Sequence, residues 1–264
     1  MSLRRRRSAV IAGMAGLALV LSGCLYAQIP PVAPDTGRSL APQTDGVEAP
    51  LLPYYGQTLT WSDCGSVGFD CTTVTAPRDY ADPSAGDLQL AVIRHRATSG
   101  QPLGSLLTNP GGPGVSGVDT VRDSLSLVAD ETLTASYDVI GFDPRGVGQS
   151  SAVTCYDASD MDAFLYDIPP GKRGSDERNA ALEQRQADFA QACEAGSDGI
   201  LPYISTENAA RDMDLLRAVL GDAKLSYLGF SYGSLLGATY AGLFPERVGR
   251  MVLDGGIDPS LPGS

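Results

Sequence analysis

Histidine is almost absent from this chain of 264 residues: there is one, His95. A histidine-built metal centre is therefore excluded, and the cysteine spacing is wrong for zinc. No cofactor is implied. The scarcity has a second consequence, because any serine hydroxyl that must be activated lacks the usual imidazole unless His95 supplies it. Basic residues are also few. Four of the 19 lysines and arginines are Arg4–Arg7, in a segment expected to be removed, which leaves 15 against 31 acidic residues. Such a surface excludes nucleic acid as a partner, since nothing remains to meet phosphates. No apolar run is long enough to span a bilayer as a stable helix, and there is no internal repeat. The composition is otherwise that of a globular protein rather than a disordered one.

The run that comes nearest to a span is Ala9–Leu21, directly after the four arginines. A charged head followed by a short apolar stretch reads as a secretory signal peptide. It closes in Leu21-Ser22-Gly23-Cys24, which resembles the lipobox of bacterial lipoproteins. That resemblance implies cleavage after residue 23, acylation of Cys24 and a membrane partner through the lipid. The alternative is a plain secretory signal with a chance cysteine. Residues 24–53 carry Pro30, Pro31, Pro34, Pro42, Pro50 and Pro53 among small and polar residues. This stretch is expected to be an extended tether, with the folded part at 54–264. Without Cys24 four cysteines remain, an even number in an exported protein. Three pairings are open. Local closure favours Cys64 with Cys71 and Cys155 with Cys193.

Within the folded part, Trp61–Tyr80 and Leu88–Arg96 read as antiparallel β-rich runs. Leu103–Thr108 is a third strand and runs into Asn109-Pro-Gly-Gly-Pro-Gly114. Helical signals cover 115–128, 178–195 and 206–220, the last with Ala209, Met213, Leu216 and Leu220 at helical spacing and Leu215 and Val219 widening that apolar face, and residues 151–178 look irregular. Apolar strands fall at 137–142, 225–230 and 249–253. Strands alternating with helices predict a mainly parallel sheet covered on both faces.

The chemistry gathers at Gly229-Phe-Ser231-Tyr-Gly233, a G-x-S-x-G turn between a strand and a helix. The serine is expected to stand on a strained turn, with a glycine two residues to either side so that strand and helix can close together. Ser231 is the candidate nucleophile. The N–H of Tyr232 and an N–H from Gly111 or Gly112 are the candidate oxyanion donors. An ordinary turn whose serine caps the helix is the competing reading.

Five motifs in order carry a resemblance: Asn109–Gly114, Asp143-Pro-Arg-Gly-Val-Gly-Gln-Ser150, Ala210-Arg-Asp-Met-Asp-Leu-Leu-Arg217, Gly229–Ser234, and Phe244-Pro-Glu-Arg-Val248 with Val252-Leu-Asp-Gly255. From about Trp61 to Pro259 the chain resembles secreted bacterial tripeptidyl aminopeptidases, grouped with prolyl-iminopeptidase-type serine peptidases of the α/β-hydrolase superfamily. The resemblance implies that fold, a peptide substrate with a free N-terminus, and an acyl-enzyme on Ser231. Asp143 and Arg145 match a family loop, where they are expected to form an ion-paired turn. Asp254 and Asp258 are expected to serve turn chemistry. In the family a cap region, two more strands, an acid and a histidine follow. The expectation is therefore that this is an N-terminal part, inactive alone. Ester hydrolysis on the same fold, or a catalytically dead binding lipoprotein, are the alternatives.

Overall fold

The computed structural model describes residues 41–258; Cys24 and the signal segment lie outside them. A short helical turn at Ala49–Leu51 leads into α1 (Leu52–Tyr55). Then come β1 (Ser62–Asp63), β2 (Phe69–Pro77), β3 (Asp87–His95) and β4 (Ser105–Asn109), followed by α2 (Gly117–Val128), α3 (Glu131–Ser136) and β5 (Asp138–Phe142). The helices α4 (Ala158–Tyr166), α5 (Asp176–Gly196) and α6 (Thr206–Val219) precede β6 (Leu225–Phe230), α7 (Tyr232–Leu243) and β7 (Val248–Asp254).

The strands form one sheet in the order β1-β2-β3-β5-β4-β6-β7. The pairings β1–β2, β2–β3 and β3–β5 are antiparallel, and those among β5, β4, β6 and β7 are parallel. Side chains alternate between the faces of a strand, and the core divides accordingly. Val92 and Ile140 enter one apolar cluster with Met213, Leu216 and Leu236. Their chain neighbours Ile93 and Val139 enter another with Val118 and Val121. Helices α6 and α7 thus cover one face and α2 the other, the two-sided cover a parallel sheet requires.

Both disulfides have the expected partners, Cys64–Cys71 and Cys155–Cys193. The second closes the base of a helical hairpin made by α4 and α5. Three expectations need correction. Residues 151–178 are not all irregular. Asp157 accepts from the Asp160 N–H and caps α4, and Phe164 stacks on Phe189 of α5 at 4.4 Å between ring centres. Short as it is, α4 is held by its cap and by its neighbour. The tether also ends earlier than residue 53. The Gln43 N–H donates to the Ala218 carbonyl at 2.9 Å, and Val47 and Leu51 pack on the core. The prolines there shape a docked segment rather than an extended one.

The third correction concerns the Asp143 loop. Asp143 and Arg145 do not pair with each other. Arg145 is 2% exposed and reaches Asp212, itself fully buried on α6. The contact is two-pronged, Nε to Oδ2 at 2.8 Å and Nη2 to Oδ1 at 2.6 Å. Burial works against the guanidinium charge, but the Asp212 carboxylate outweighs it and holds Arg145 above its ordinary range. Tyr80 also donates to Asp212 at 2.9 Å. Asp143 instead accepts from the Ser116 hydroxyl and the Val118 N–H, and so fastens the start of α2.

Two residues along α6, Asp214 gathers the Tyr55 hydroxyl and the guanidinium groups of Arg217 and Arg247. The sequence reading gave α6 one apolar face. In the structure it is buried nearly all round from Ala209 to Val219, and its two carboxylates are satisfied by these partners.

Candidate active site

The site forms where the parallel strands end. Asn109, last residue of β4, pairs with Gly229 of β6, and Phe230 pairs with Asp254 of β7. The chain segments leaving β4, β6 and β7 therefore emerge side by side, at the C-terminal strand ends where open α/β sheets place their ligands.

Ser231 links β6 to α7. It is exposed and its backbone lies at φ 52 and ψ −119, a conformation L-residues rarely adopt and one that the surroundings must enforce. Its N–H donates to the Asp254 carbonyl at 2.8 Å. The side chain makes no cap bond to the helix, which tells against the reading of Ser231 as an ordinary capping serine. The flanking glycines are needed for close approach. A Cβ on Gly229 would strike the Gly233 carbonyl, and one on Gly233 would lie 2.6 Å from the Asn109 carbonyl. Tyr227, buried on β6, donates its hydroxyl to the Gly233 carbonyl at 2.8 Å and fastens the first turn of α7 from beneath.

The glycine loop after β4 lies against this turn. At Gly111 (φ +95) an added Cβ would sit 2.5 Å from the Phe230 carbonyl and 3.1 Å from the Tyr232 nitrogen. The Tyr232 N–H is at the first position of α7 and has no intrahelical acceptor. The two glycines differ in their hydrogen bonds. The Gly111 N–H donates to Asn109 Oδ1 at 3.0 Å, a bond within its own loop. Gly112 is exposed, and its N–H makes no hydrogen bond among the described residues. The Tyr232 N–H and the Gly112 N–H therefore both lack a hydrogen-bond acceptor among the described residues. The Asn109 side chain, which folds the loop by bonding two residues ahead, went unnoticed in the sequence; its signal was an Asn placed directly before Pro-Gly-Gly.

The Tyr232 hydroxyl lies 2.9 Å from Thr206 Oγ1 and brings the start of α6 to the rim. His95 is elsewhere. In sheet order β5 and β4 lie between β3 and β6. His95 also pairs with Val139 at the beginning of β5, away from the strand ends that carry the site. Its ring packs edge-on against Phe69. Burial lowers its pKa, the Asp138 charge opposes that and the Arg96 charge adds to it. No group of three or more histidine, cysteine or carboxylate side chains suited to a metal occurs among the described residues.

An exposed serine on a strained strand–helix turn, followed by the uncommitted Tyr232 N–H and with the glycine loop against it, can present an oxygen nucleophile to a carbonyl. Similar proteins have names consistent with that chemistry. A tripeptidyl aminopeptidase of Streptomyces coelicolor is 41% identical over 211 residues, covering 76% of this chain and 38% of the relative. The serine protease Hip1 of Mycobacterium tuberculosis is 36% identical over 94% of this chain and 46% of its own length. Carboxylesterase B of the same organism is 38% identical over 97% of this chain and 49% of its own. The chain thus spans less than half the length of these relatives. The family model described as alpha/beta hydrolase fold matches residues 104–264, which include the glycine loop, the turn at Ser231 and all four parallel strands. This chain belongs to the α/β-hydrolase fold family.

Proposed function

We propose that this chain carries the nucleophile and oxyanion-binding part of a serine hydrolase that cleaves peptides near a free N-terminus. The observation that carries the reading is the backbone of Ser231, at φ 52 and exposed on a turn against which the Gly111 loop lies. In the proposed reaction Ser231 Oγ attacks the substrate carbonyl as a base takes its proton. Tyr232 N–H and Gly112 N–H hold the oxyanion. Collapse expels the amine, which receives that proton, and leaves an acyl-enzyme that water resolves.

The base is proposed to be a histidine oriented by an acid, and neither is assigned to a residue of this chain. The short overlap with the relatives and the distant seat of His95 support this. The peptidase reading draws on the aminopeptidase and protease relatives; the carboxylesterase relative favours an ester substrate instead. Turnover of tripeptidyl-p-nitroanilides against p-nitrophenyl acyl esters by the full-length enzyme separates the two. Peptide amides are the expected substrates, and turnover of esters alone would overturn the peptidase reading.

We further propose export by the Arg4–Leu21 signal and lipid anchoring at Cys24. Detergent-phase partitioning that is lost in Cys24→Ala is the expected result. Equal partitioning of the two forms counts against the anchor.

A further inference from the structure

Ser234 is the third residue of α7 and only 1% exposed. A serine so near a helix start would ordinarily be read as a cap, but the cap position belongs to Ser231. The Ser234 hydroxyl faces the chain on either side of the site instead. It lies 2.6 Å from the Ser231 carbonyl oxygen and 3.2 Å from the Gly255 carbonyl oxygen, and it accepts from the Ile257 N–H at 3.0 Å. With one proton to give, it donates to Ser231 in the shorter contact and uses a lone pair for Ile257. The Ser231 carbonyl also accepts from the Ser234 N–H at 2.8 Å. Gly255 is close enough to Ser231 that a Cβ on it would stand 3.4 Å from the Ser231 nitrogen.

We infer that Ser234 is a positioning residue for the candidate nucleophile. Its buried hydroxyl clamps the strained Ser231 backbone from the carbonyl side, and it pins the turn 255–257 as the wall beside that serine. Strain of this kind persists only where neighbours over-determine it. Ser231 is held at its N–H by Asp254 and at its carbonyl by Ser234. Loss of the hydroxyl removes one of the two bonds that Ser234 makes to the Ser231 carbonyl and leaves the Ile257 N–H without its acceptor. The packing changes by a single atom, so the rest of the fold is expected to stay.

The inference rests on Ser231 being the nucleophile, and the test keeps the two apart. Full-length enzyme is compared as wild type, Ser231→Ala and Ser234→Ala. The expected result for Ser234→Ala is a kcat lower by roughly tenfold to a hundredfold, the scale of a misplaced reacting group, with KM within about twofold. Amide exchange at Ile257 should accelerate by about tenfold, the scale of one lost hydrogen bond, while amides of β4 and β5 keep their protection. Wild-type kcat in Ser234→Ala, an unchanged Ile257 amide, or protection lost equally across the sheet would each overturn the positioning role. If Ser231→Ala itself keeps turnover, the nucleophile reading fails first.

Discussion

Gly111 shows how much one hydrogen in place of a methyl group decides. It closes the distance between the loop after β4 and the Ser231 turn, and its φ of +95 is one that side chains rarely tolerate. In Gly111→Ala the new Cβ would meet the Phe230 carbonyl at 2.5 Å. Loop or turn must then move, and the Tyr232 N–H moves with them. Stability is expected to fall by about 1–3 kcal/mol, and hydrolysis by the full-length enzyme to fall more steeply than stability does. Denaturant melts beside kcat values check both. A second residue-scale expectation concerns His95. Its folded-state pKa is lowered, by burial first, so the unfolded chain takes up the proton more readily. The contribution is intact above the ordinary value near 6.5 and is lost as pH falls below it toward the folded value. The Tm should decline from pH 7 to pH 5 more steeply in wild type than in His95→Gln, and parallel curves would contradict the assignment. The turn at Ser231 was legible at this scale, because G-x-S-x-G states both the residue and the space it needs. The split between Gly111 and Gly112 was not, since it depends on where the Asn109 amide points.

At the scale of elements, α6 departs most from its sequence pattern. Periodicity named its apolar positions, and these are buried. It could not show that Asp212 and Asp214 are buried as well, because their partners Arg145, Tyr55 and Arg247 come from distant parts of the chain. Removing one member strands the other. Asp212→Ala leaves the Arg145 guanidinium buried without its carboxylate and should cost about 3–5 kcal/mol, read from urea melts. A loss below 1 kcal/mol would mean the pair contributes little. The α4–α5 hairpin behaves differently. It spans the 38-residue separation closed by Cys155–Cys193, and most of α5 is exposed, with Cys193 its one buried residue. Replacing both cysteines with alanine is expected to destabilise by about 2–4 kcal/mol. Limited proteolysis should then cut within 156–192 before the sheet is touched. Cleavage first in the sheet would show that the disulfide stabilises more than the hairpin.

At the scale of the molecule, strand–helix alternation was enough to expect a parallel sheet covered on both faces. The order β3-β5-β4-β6 puts the glycine loop beside the serine turn. That adjacency could not be read from spacing, because Asn109 and Gly229 are far apart in sequence. The docked segment 43–55 was misread for the same reason: its anchors on α6, Ala218 and Asp214, are long-range. The outer strand β7 carries Val252 and Leu253 at 58% and 38% exposure among the described residues. The whole account turns on Ser231 as the nucleophile. The most direct measurement is fluorophosphonate labelling of the full-length protein, with the modified peptide located by mass spectrometry. The account predicts a single label on Ser231, lost in Ser231→Ala while the Tm is unchanged. A folded protein that takes no label, or takes it on another residue, would contradict it.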